Sequence, residues 1–165
     1  MERNEIINNL KNVKENHFYK DCTVKNVKVG DKEGDYCRIS LTIDKEVEQC
    51  VVDQETNEIK HQKSNVIFAS SISILAVLKE NDDAAFAANY ISEHNKSLEA
   101  ILSRAKIDVV QEFVPDGKEY KNPFSSKEDT RIFEGDRYIT HITDITLGKI
   151  GLQSLEKVQD KILSI

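Results

Sequence analysis

Residues 18–44 read FYKDCTVKNVKVGDKEGDYCRISLTID, and the fold turns on how they are paired. In the second half, Cys37, Ile39, Leu41 and Ile43 alternate with Tyr36, Arg38, Ser40 and Thr42. That period of two places the first set inward and the second outward on a half-buried strand. In the first half, Cys22 and Val24 fall on one phase and Val27 and Val29 on the other. A one-residue bulge near Lys25 and Asn26 accounts for the switch. The polar segment GDKEGD, residues 30–35, supplies a turn, so an antiparallel hairpin is expected.

The pattern extends outward from this hairpin. A short strand is expected over 49–52, then a polar turn, then a strand ending in the apolar run 66–69. Residues 71–105 change character. Ile74, Leu75, Val77 and Leu78, and later Leu98, Ile101 and Leu102, follow helical spacing and predict an inserted helical block. Strand signals return in KIDVVQEFV (106–114) and RYITHITDITLG (137–148). An N-terminal helix is expected from Ile6, Ile7, Leu10 and Val13. A C-terminal helix over about 151–164 is expected from the stripe Leu152, Leu155, Val158, Ile162 and Leu163. The order suits an α+β, mostly antiparallel domain spanning 1–165: a five-stranded OB-like small barrel with an enlarged helical insertion and terminal helices. The helical stripes offer either a core wall or a surface for a second copy.

Composition narrows the class. The chain has 165 residues, 39% hydrophobic and 32% charged, enough for one ordinary core without staples. Cys22, Cys37 and Cys50 are odd in number, widely spaced and set in apolar runs, the pattern of reduced core thiols. The sequence shows neither an apolar secretory segment nor a run long enough to span a bilayer, so a cytoplasmic protein is expected, in the host cytoplasm if phage-encoded, with no membrane partner.

The net charge of -6 argues against a strongly basic nucleic-acid clamp but leaves room for a local basic face. The loop-rich stretch 112–148 mixes rings with cations: Lys118, Tyr120, Lys121, Phe124, Lys127, Arg131 and Arg137. Tyr36 and Arg38 stand on the outward face of the central strand, and Lys25 and Lys28 extend the same strip. Rings that stack on bases beside cations that track phosphates are what a single-stranded nucleic acid requires. The carboxylates Asp53, Asp108, Glu112, Asp116 and Asp144 are scattered, and His141 reads as structural. No catalytic residue, metal-ligand set or cofactor is expected.

The runs KIDVVQEFVPDGKEYKNPFS (106–125) and YITHITDITLG (138–148) resemble the final strand pair of single-stranded DNA-binding proteins encoded by bacteriophages and related mobile elements. DCTVKNVKV (21–29) and YCRISLTID (36–44) resemble their first two barrel strands. The resemblance implies a non-catalytic protein that coats exposed single-stranded DNA in replication or recombination. It assigns contact roles to Tyr36, Arg38, Tyr120 and Phe124. The alternative is a phage-like structural or protein-interaction module on the same scaffold.

Overall fold

The computed structural model describes residues 2–125 and 127–164. A short helix α1 (Arg3–Asn12) leads into three long strands, β1 (His17–Glu33), β2 (Tyr36–Val52) and β3 (Ile59–Ser70). Four helices follow, α2 (Ser71–Lys79), α3 (Asp82–Ala85), α4 (Ala88–Glu93) and α5 (Ser97–Ile101). The chain then forms β4 (Lys106–Val114), a small ribbon β5 (Glu119–Tyr120) and β6 (Arg131–Ile132), β7 (Arg137–Thr146) and α6 (Lys149–Leu163).

The five long strands make one antiparallel sheet in the order β3-β2-β1-β4-β7, and β5 pairs only with β6. β1 is divided between its neighbours. Residues 17–23 pair with β4, and residues 24–33 pair with β2. The division falls beside the expected bulge, because the β1–β2 register shifts between Val24 and Asn26. A second shift lies between Tyr19 and Cys22, where Asp21 takes φ +54° and its N–H donates to Asp108 Oδ1 at 3.0 Å. That interaction supports a left-handed backbone in a residue type that tolerates it.

The alternation in β2 holds. Cys37, Ile39, Leu41 and Ile43 are buried, while Tyr36 and Arg38 are exposed and Ser40 and Thr42 are half-buried. β2 does not stop at residue 44 but continues to Val52, with a register shift against β3 between Thr42 and Val47. The separate strand expected at 49–52 is therefore its far end.

The helical block covers the buried face of the sheet. Ile74, Leu78, Ile91, Leu98 and Ile101 are wholly enclosed, alongside Val24, Ile39, Ile43, Ile107 and Val109 from the strands. Leu155 and Val158 of α6 complete this core, whereas Leu152 and Leu163 stay exposed. Burial of such side chains, worth roughly 1.5–3 kcal/mol each, explains why the apolar spacing over 71–105 exists.

The barrel expectation fails. β3 and β7 are the two edges of an open sheet, each paired with a strand on one side only among the described residues. Two features occupy the place where closure would occur. β3 runs directly from Ser70 into α2, whose Ser70 Oγ accepts the Ser73 N–H at 3.1 Å as an N-cap. On the other edge, Arg3 Nη2 donates to the Ile142 carbonyl at 3.0 Å, taking an acceptor that a strand partner would need. With the barrel goes the resemblance to OB-fold single-stranded DNA-binding proteins, which depended on barrel strands. Among the described residues, no helix is long and apolar enough to cross a membrane.

Candidate functional site

The gap left between the sheet edges is a cleft of about 500 Å³. Its walls are the end of β3, the first turn of α2, the middle of β7 and the loop around Asn122–Lys127, with Arg3 of α1 reaching in. Arg3, Arg38, Lys127 and His141 all line it, and no Asp or Glu does among the described residues. Ligand sites of this size are common in proteins, and they orient their ligands with a few polar groups.

Two arginine–phenylalanine pairs frame the opening. The Arg38 guanidinium lies over the Phe68 ring, 4.2 Å from its centroid, and Arg3 lies over Phe124 at 4.7 Å. Such contacts contribute about 0.5–1 kcal/mol at exposed sites. Phe124 also presents an edge contact to His141, with centroids 5.0 Å apart. The loop therefore folds its ring onto the sheet between an arginine and a histidine. Asn122 Oδ1 accepts the Phe124 N–H at 3.0 Å and Ser125 Oγ accepts the Lys127 N–H at 3.2 Å. These local turns shape the segment that carries Lys127.

The charges differ in how far they are compensated. Arg3 Nε stands 3.4 Å from Glu80 Oε2, an ion-pair distance without hydrogen-bond geometry. Burial lowers the Arg3 pKa, while Glu80 and Asp144 pull it back up. His141 Nε2 lies 3.0 Å from Glu112 Oε1. Arg38 and Lys127 have no ion-pair partner among the described residues.

Behind the cleft, Glu112, His141 and Tyr120 form one polar cluster. The Tyr120 hydroxyl donates to Glu112 Oε1 at 2.9 Å, the same oxygen that His141 Nε2 approaches. Burial, with Glu112 adding to it, pushes the Tyr120 phenol far above its ordinary value. A phenol with a raised folded pKa contributes stability that is complete below the unfolded value of about 10 and is lost as pH rises beyond it. Alkaline unfolding followed by tyrosinate absorbance and circular dichroism tests this. Tyr120→Phe should cost about 0.5–1.5 kcal/mol at neutral pH and flatten the alkaline loss of stability. An unchanged alkaline limb would remove Tyr120 from that role.

The expected contact residues do not all line the cleft. Arg38, Phe124 and Lys127 share the cleft. Tyr36 sits at the start of β2, next to the hairpin turn, and Lys25 and Lys28 are carried by β1. Tyr120 is committed to Glu112 and tilts against Phe133, with centroids 6.1 Å apart. Arg131 and Arg137 both lie over Phe133, at 5.3 and 5.4 Å, and Lys121 pairs with Glu128 at 3.8 Å. Lys118 lies in the turn before β5. The single-stranded DNA-coating function, with its roles in replication and recombination, is thus corrected: the barrel face that was to carry it does not exist.

Of the basic cleft residues, Arg3 is not singled out by the sequence and His141 is read there as structural. Arg3 meets its partner 139 positions away, and no local signal marks that contact. His141 is legible as a strand residue, but its approach to Glu112 depends on the β4–β7 register, in which Val110 pairs with His141 and Glu112 with Ile139. Comparison with protein-family models finds no match, and a search of curated proteins finds no significant relative.

Proposed function

We propose that the protein binds, without transforming, a small anion that carries an apolar body, and that the cleft between β3 and β7 is its seat. The supporting observation is the lining: four basic side chains, Arg3, Arg38, Lys127 and His141, with no acid among the described residues. Apolar surface stands at the same mouth, with Phe68 40% and Ile72 52% exposed. The charged head of a ligand would meet the cations while its body covers these two side chains.

Benzoate and phenyl phosphate, titrated into labelled protein, should shift the backbone amide signals of Arg38, Lys127 and His141. Benzyl alcohol, the neutral comparison, should leave them in place. Arg38→Ala should weaken the binding about tenfold, or roughly 1.4 kcal/mol, without altering the fold. The absence of any shift at millimolar anion would overturn the assignment.

A further inference from the structure

The hydrogen-bonding capacity of the cleft is lopsided. Its acceptors are largely spent within the protein: Asn122 Oδ1 on the Phe124 N–H, Ser70 Oγ on the Ser73 N–H, the Ile142 carbonyl on Arg3, and Thr140 Oγ1 on Gln111 Nε2 at 3.2 Å. Its donors are not. Arg38 and Lys127 supply guanidinium and ammonium hydrogens with no ion-pair partner among the described residues, and Asn122 lies in the same wall. A ligand suited to such a wall is rich in acceptors and poor in donors.

The charge count sharpens the match. Arg3 is offset by Glu80 and Asp144, and His141 stands against Glu112. Two cations remain without an acid, Arg38 and Lys127. They are of different kinds. Arg38 lies over Phe68 and brings the planar fork of a guanidinium, while Lys127, exposed on its loop, brings the point charge of an ammonium. A fork and a point charge together suit a tetrahedral oxyanion with three acceptor oxygens better than a single planar carboxylate. The first turn of α2 lines the same wall through Ser70, Ile72 and Ser73, and its dipole has the matching sign.

Resting on the anion-binding reading above, we infer that the ligand is a dianion, a small phosphate monoester. Its phosphoryl group sits between Arg38 and Lys127, and its organic part lies along Phe68 and Ile72. The volume of the cleft, about 500 Å³, falls within the range of small-molecule sites.

The test uses three probes with one aryl ring: phenyl phosphate, its methyl diester, which carries a single charge, and benzoate. Calorimetric titration of the full chain near neutral pH, where a monoester is mostly doubly charged, should rank phenyl phosphate at least about tenfold above both others. Lys127→Ala and Arg38→Ala should each erase most of that preference, and Lys127→Arg should retain it. Equal binding of all three probes would overturn the dianion while leaving the anion site standing. No binding by any of them would overturn both. A phosphotyrosine tetrapeptide that binds far more tightly than phenyl phosphate would overturn the small-molecule assignment and give the site to a protein segment.

Discussion

Replacing Gln111 by leucine is expected to lower the unfolding free energy by about 2–4 kcal/mol, because it leaves the N–H and carbonyl of half-buried Glu48 without their partner. Gln111 is wholly buried in β4. Its Oε1 accepts the Glu48 N–H at 3.0 Å, and its Nε2 donates to the Glu48 carbonyl at 2.8 Å and to Thr140 Oγ1 at 3.2 Å. β2 and β4 are not neighbours in the sheet, since β1 lies between them. One side chain therefore joins the far half of β2 to β4 and β7 through a bidentate amide contact that mimics a ladder pair. Leucine matches the volume and gains apolar burial, but it can offer neither group to Glu48. For a chain of this length, a loss of that size lowers Tm by roughly 4–16 °C. Urea melts of the wild type and Gln111→Leu decide the matter, and a difference below about 0.5 kcal/mol would show that Glu48 finds other partners.

Gln111 also shows where the sequence stops being readable. The hairpin at 18–44 could be read because its information is local: alternation sets the faces of β2, and a break in phase sets the bulge beside Lys25. The helical block could be read for the same reason, and its apolar spacing became the inner wall. Closure of the sheet is different in kind. It depends on whether β3 and β7 pair, whereas in the fold Arg3 takes the Ile142 carbonyl and β3 turns directly into α2. A periodicity argument contains neither contact. The cleft follows the same logic. Arg38, Phe124 and Lys127 are visible as a ring among cations, whereas their assembly with Arg3 and His141 exists only in the folded chain. Tyr120 marks the converse case, since an aromatic that looks available in the sequence has its hydroxyl on Glu112.

Gly151→Ala should be destabilising by about 2–3 kcal/mol, against the sign that helix propensity alone predicts. Within α6 an exposed glycine changed to alanine would gain up to about 1 kcal/mol through propensity. Gly151 is buried, however, and a Cβ there would run into the Ile101 carbonyl oxygen at the end of α5, with the Leu147 side chain close behind at 3.6 Å. The obstacle is backbone, so it cannot rotate away. Relief requires α6 to move off α5, which loosens Leu155 and Val158 over the core formed with Leu98 and Ile101. The unfolding free energies of Gly151→Ala and of Gln153→Ala, an exposed position two residues along the same helix, separate the two effects. Gln153→Ala should change stability by only a few tenths of a kcal/mol, whereas Gly151→Ala should fall well below the wild type. A Gly151→Ala protein as stable as the wild type would mean that α6 can shift freely over α5, and the close helix contact would lose its place in the account of the fold.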